Sequence, residues 1–138
     1  MTGMKHVLIA LTCVAALIGC GGADEPSPAF QSTTTGNAEI AFTSDPVTPT
    51  IGQNTFEVRV TEAGAPVNDA QVSVEFFMPA MPSMNMAERR NRSDLQPAGD
   101  GTYRGTGQVM MSGNWEVTVR ATRNGQEIGT RSFPVTAR

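Results

Sequence analysis

The side chains of this sequence whose type and spacing could carry chemistry are its methionine thioethers. Of 8 methionines, Met1 and Met4 stand at the amino terminus, and the rest fall in two clusters: Met78, Met81, Met84 and Met86, then Met110 and Met111. A thioether is a soft, neutral ligand that favours cuprous copper or silver over harder divalent ions. It is also an adaptable filler of irregular core gaps, and methionine-rich surfaces accommodate several apolar partners. The run Met78-Pro79-Ala80-Met81-Pro82-Ser83-Met84-Asn85-Met86 contains two prolines, which bar a regular helix or central strand and predict an irregular loop. Soft-metal binding, plugging of a domain end and partner docking are the three roles open to it.

Other chemistries are narrowed by what is missing. The sole histidine, His6, and one of the two cysteines, Cys13, belong to the first 19 residues, and the other cysteine is Cys20. Beyond Cys20 there is no imidazole and no thiol to act as general base, nucleophile or zinc ligand, so an enzyme is not expected, and no disulfide can staple the domain. Residues 20–138 carry nine Arg, no Lys and thirteen Asp plus Glu, a side-chain charge of about −4, the wrong sign for nucleic acid. Arg89, Arg90 and Arg92 form a basic cluster that reads as solvated loop surface. Asp69, Asp94 and Asp100 are expected in separate turns, without the dense carboxylate spacing of a calcium loop. Tyr103, early in a strand, is expected to pack at a corner and bond backbone.

Lys5 followed by the apolar run Val7 to Ile18 has the layout of a secretory signal, and its twelve residues fall short of the about 20 that span a bilayer. The following Leu17-Ile18-Gly19-Cys20 resembles the lipobox of bacterial lipoproteins. That resemblance implies a signal peptide over 1–19, lipidation of Cys20, palmitate among the chains, and a membrane partner reached through the anchor. The expected location is the cell envelope, periplasmic or surface side, with the outer membrane preferred. Residues 20–37 are rich in Gly, Ala, Pro, Ser and Thr, contain one large apolar residue, Phe30, and read as a flexible linker. Residues 38–138 then form one domain.

Within that domain Phe56, Val58 and Val60 alternate with polar neighbours, as do Val72, Val74 and Phe76, and Trp115, Val117, Val119 and Ala121. This period of two marks strands with one buried face, and Trp115 is expected at the centre of the core. Weaker strands are predicted over Glu39–Thr43, Ser93–Gln96, Thr102–Val109 and Gln126–Val135. The last loses phase at Ile128 and suggests a bulge near Gly129. Turn signals separate them, above all Asn124-Gly125, which suits a type I′ hairpin. The fold class is all-β, an immunoglobulin-like antiparallel β-sandwich of about seven strands. Counting strand directions brings Met110 and Met111 to the end where Met78 begins its loop, provided the Ser93–Gln96 strand exists.

Five segments together resemble the YtkA-like domain, which is related to the periplasmic part of FixH proteins. They are Phe56-Glu57-Val58-Arg59-Val60, Pro66-Val67-Asn68-Asp69-Ala70-Gln71-Val72, Met78-Pro79-Ala80-Met81, Gly101-Thr102-Tyr103-Arg104 and Met111-Ser112-Gly113-Asn114-Trp115-Glu116-Val117. The resemblance, over Ala38 to Val135, implies a non-catalytic extracytoplasmic sandwich and points toward copper handling or oxidase assembly. The ligand candidates on that reading are Met78, Met81, Met84 and Met86, completed by Met110 or Met111, for cuprous copper or a similar soft ion. The alternative is a module that binds no metal and docks an envelope partner, such as a metal-efflux or oxidase-assembly protein.

Overall fold

The computed structural model describes residues 34–138. The expected signal peptide, Cys20 and most of the expected linker lie outside the described residues. The linker's last residues do not: Thr34–Gly36 form a short strand, β1, so regular structure begins before Ala38. The reason is a partner on the sheet edge, which sequence composition does not reveal. The remaining strands are β2 (Ala38–Asp45), β3 (Gly52–Glu62), β4 (Ala65–Pro66), β5 (Gln71–Met78), β6 (Arg89–Gly99), β7 (Thr102–Val109), β8 (Gly113–Arg123) and β9 (Gln126–Ala137). The seven expected strands are all present, and β1 and β4 are the two short additions.

All pairings are antiparallel. One sheet runs β1-β9-β8-β5-β6 and the other β6-β7-β3-β2, with β4 beside β3. Strand β6 belongs to both: Arg89 to Leu95 pair with β5, and Gln96 to Gly99 with β7. Eleven residues long, it is far longer than the Ser93–Gln96 expected, because its polar outer residues alternate with few large apolar ones. The sheets are therefore continuous along one side. On the other side β2 and β9 approach without forming a ladder, joined by the bonds from Asn37 N to Ile128 O at 3.1 Å and from Arg131 Nη1 to Ile40 O at 3.1 Å.

Alternation accounts for the core. Phe56, Val58 and Val60 of β3, Val72, Val74 and Phe76 of β5, and Trp115, Val117, Val119 and Ala121 of β8 are buried, with Ile40 and Tyr103 beside them. Each Val or Phe so buried contributes about 1.5–3 kcal/mol. Phe56 and Phe76 tilt against each other with ring centroids 4.7 Å apart. In the β8–β9 ladder Ala121 pairs with Gly129 but Thr122 with Glu127, leaving Ile128 as the extra residue of the expected bulge. Asn124 and Gly125 both take positive φ, 52° and 77°, as the type I′ turn requires.

Candidate functional site

Strand directions place the β2–β3, β5–β6 and β7–β8 connections at one end of the sandwich, together with the close of β9. Both methionine clusters are thus at this end, as the strand count predicts. Met78 closes β5 with its side chain in the core, 2% exposed. Its terminal methyl lies 3.0 Å from where a Cβ on Gly113 would sit, which puts Met78 beside the start of β8, two residues after Met111. Gly113, at φ +137°, is the residue that permits this approach.

The loop after Met78 is less irregular than its prolines suggest. Met81 and Met86 face each other as an isolated antiparallel bridge, exchanging bonds from Met81 N to Met86 O at 2.9 Å and from Met86 N to Met81 O at 3.1 Å. Directly opposed residues of such a pair have Cα atoms about 5.5 Å apart and side chains on one face. Between them Pro82–Met84 form a single 3₁₀ turn, closed by Asn85 in the left-handed region at φ 53°. Met81 and Met111 are partly buried and pack against the core. Met86 is also half-buried, whereas Met84 is 61% and Met110 48% exposed.

Trp115 holds the second cluster in place. Its indole Nε1 donates to the Met111 carbonyl at 3.1 Å, and the ring, the largest fully buried side chain of the described residues, packs in the core as expected from sequence. Asn54, 2% exposed, shapes the neighbouring β2–β3 loop: its Nδ2 donates to Thr50 O at 2.8 Å and Gly52 O at 3.0 Å, and its Oδ1 accepts from Thr50 N at 2.9 Å. That loop exposes Val47 and Ile51, so all four exposed large apolar side chains of the described residues, Val47, Ile51, Met84 and Met110, are on the methionine end. Sequence reading missed Asn54 and this loop because no motif surrounds them.

The opposite end is built for stability. Tyr103, fully buried, donates from its hydroxyl to Val67 O at 2.8 Å and accepts from Ala70 N at 3.0 Å, the corner role expected of it. The Gly101 N–H donates to Asn68 Oδ1 at 2.6 Å. Bonding to the Glu62 carboxylate holds the Arg123 guanidinium above its ordinary value, against partial desolvation, so it stays charged at any accessible pH.

Two polar clusters differ from expectation. Arg89, Arg90 and Arg92 are on strand β6, not a loop, and Arg90 pairs with Glu75 at 3.0 Å while lying 4.3 Å from the Phe77 ring centroid. Asp94 is also on β6, 3.7 Å from Arg92, and not in a turn. Among the described residues no three His, Cys, Asp or Glu side chains gather as a metal-binding group, and no helix is long and apolar enough to cross a membrane.

The model of the YtkA-like family matches residues 33–120, well over half the sequence. The chain belongs to the YtkA-like family. In these terms the YtkA-like match takes in both methionine clusters and the corner tyrosine, and the whole of β9 lies beyond it. Among solved structures, the soluble domain of PmoD from a Methylocystis species is similar at a TM-score of 0.42 and 14% identity, covering 73% of this chain and 90% of that one. No curated protein sequence matches.

Proposed function

We propose that this YtkA-like protein is a non-catalytic, lipid-anchored accessory of the bacterial cell envelope whose methionine end binds cuprous copper or another soft ion. The observation that carries the proposal is the Met81–Met86 bridge: two half-buried thioethers set on one face, in a loop whose origin, Met78, lies beside Gly113, two residues after Met111. The donor set fits a soft monovalent ion, because three or four neutral sulfurs suffice and no imidazole or thiolate competes among the described residues. Met81, Met86 and Met111 are the core of the proposed ligand set, Met84 and Met110 are exposed thioethers able to join it, and Met78 supports it from below. Bound there, the ion would be cargo, and the chain's part is to hold it and keep it from harder ligands.

The test is an anaerobic titration of the protein with cuprous ion against a chromogenic chelator, following the methionine methyl resonances. Stoichiometric binding that shifts Met81, Met86 and Met111 is the expected result, lost in the triple Leu variant at those positions. Met to Leu exchanges cost less than about 1.5 kcal/mol each, so the variant remains folded. Failure to compete with even a weak chelator ends the metal reading.

A second reading is favoured by the exposed quartet Val47, Ile51, Met84 and Met110. Clustered apolar exposure at one end suits docking onto an apolar surface of an envelope protein, without metal. On this reading polar replacement of Val47 and Ile51 abolishes association with that partner and leaves the methionine resonances unmoved.

A further inference from the structure

The loops at the methionine end carry no charge. Residues 46–53, 79–87 and 109–115 contain no Asp, Glu, Lys or Arg, although every strand they join does, and the opposite end holds Glu62, Asp69, Asp100, Arg123 and Glu127. Exposed large apolar side chains follow the same division, Val47 foremost at 91%, with Ile51, Met84 and Met110. The loops are neighbours. Gly52 pairs with Val109 at the last rung of the β3–β7 ladder, so Ile51 and Met110 leave it side by side. Bonds from Arg138 N to Pro49 O at 2.9 Å and from Ile51 N to Arg138 O at 3.1 Å tie the β2–β3 loop to the close of β9.

The backbone of these loops points to what covers them. A segment enters the edge of a bilayer at low cost only when its N–H and C=O groups keep partners as water leaves. Pro46, Pro49, Pro79 and Pro82 have no N–H to satisfy. Met81 and Met86 bond each other, Met84 N donates to Met81 O at 3.0 Å, and Asn85 N donates to Pro82 O at 3.1 Å. Asn54 serves Thr50 and Gly52 from beneath, and Ser44 Oγ donates to Val47 O at 3.0 Å. A typical protein interface carries about 10 direct hydrogen bonds. This end has paired much of its backbone internally and offers no charged side chain at its tip. Around it stand Asp45, Glu88, Arg89 and Arg138, a rim neutral overall. Arg89 and Arg138 have no acidic partner among the described residues, and side chains of that length reach lipid phosphates from such a rim.

On the flank of this end, between the Arg138 tie and the Arg131–Ile40 bond, a groove of about 470 Å³ opens between β2 and β9, lined by Phe42, Val47, Pro49, Phe133 and Val135. It continues the apolar surface inward from Val47. We propose that the methionine end is a bilayer-contacting face, in which Val47, Ile51, Met84 and Met110 enter the boundary between headgroups and acyl chains. Arg89 and Arg138 then stand at headgroup level, and the Tyr103 end points away from the membrane. The neutral rim fits a zwitterionic lipid surface. The occupant of the exposed quartet is thus lipid and not an envelope protein, and the inference stands whether or not a metal binds.

Magnetic resonance of the full chain in phosphatidylcholine bicelles, with methionine and alanine methyls labelled, tests it. A tether alone brings either end to the lipid, so the readout is which end meets it. Lipid carrying a nitroxide in its acyl chain is expected to erase the Met84 and Met110 methyl signals and to spare Ala63 and Ala98 at the opposite end. Val47→Ser combined with Ile51→Ser, both at exposed positions, is expected to restore the two methionine signals while the core methyl shifts stay in place. Equal broadening at both ends overturns the proposal, as does a loss of Met84 and Met110 signals that survives the double substitution. So does broadening of Met84 and Met110 by a water-soluble gadolinium chelate as strong as that of Ala63 and Ala98. That result puts the methionine end in water and leaves its apolar side chains to an envelope protein.

Discussion

At the scale of single residues, the methionines divide by burial in a way their spacing does not announce. Met78 is core, Met81, Met86 and Met111 are half-buried, and Met84 and Met110 stand in solvent. Type and clustering were legible in the sequence, and so was the chemistry of the thioether. The opposed pairing of Met81 with Met86 was not, because it depends on Pro82 and Asn85 closing a turn between them. Tyr103 was legible in full, since a tyrosine beginning a strand after a glycine turn has one common use. Tyr103→Phe leaves Val67 O and Ala70 N without their partner, and is expected to cost about 2 kcal/mol, read as a lower urea midpoint with an unchanged slope. A variant as stable as the parent would show that solvent replaces the hydroxyl.

Among the elements, strands announced themselves wherever one face is apolar and the other polar. β3, β5 and β8 meet that condition along nearly their whole length. β6 does not: Leu95 is its one buried large side chain, so only its pairing with β5 and β7 reveals its length. The turns are uneven in quality. Asn124-Gly125 has the residues a type I′ turn prefers, whereas Ala63-Gly64 places an alanine at φ 49°. A β-carbon in the left-handed region costs about 1–2 kcal/mol, and asparagine tolerates it better. Ala63→Asn is expected to stabilise the protein by about 0.5–1 kcal/mol, measured by chemical denaturation, because it relieves a backbone cost without touching the core.

For the molecule as a whole, the asymmetry between the two ends and the two sides is what matters. One end is tied by Tyr103, Asn68 and the Arg123–Glu62 pair, and the other gathers the thioethers and exposed apolar side chains. One side is closed through β6, and the other is bridged by Asn37 and Arg131. Arg131 reaches from β9 to the Ile40 carbonyl while lying 5.1 Å from the Phe133 ring centroid. Arg131→Leu keeps the apolar contact and removes the bond, and is expected to destabilise by about 1.5–3 kcal/mol, with faster amide exchange along β2. Loss confined to β9 would instead place the sheet contact elsewhere.

The sequence by itself determined the all-β class, the phase of the strong strands, the β9 bulge, the corner tyrosine and the co-location of the methionine clusters. These follow from short-range patterns: a period of two, turn residues, and the parity of strand directions. Only the tertiary structure decided the sharing of β6 between sheets, the β1 pairing, the Met81–Met86 bridge, and the open groove between β2 and β9. Each of these is a relation between segments far apart in the chain. Backbone pairing at an edge leaves little trace in side-chain type, and burial depends on what the rest of the fold places opposite.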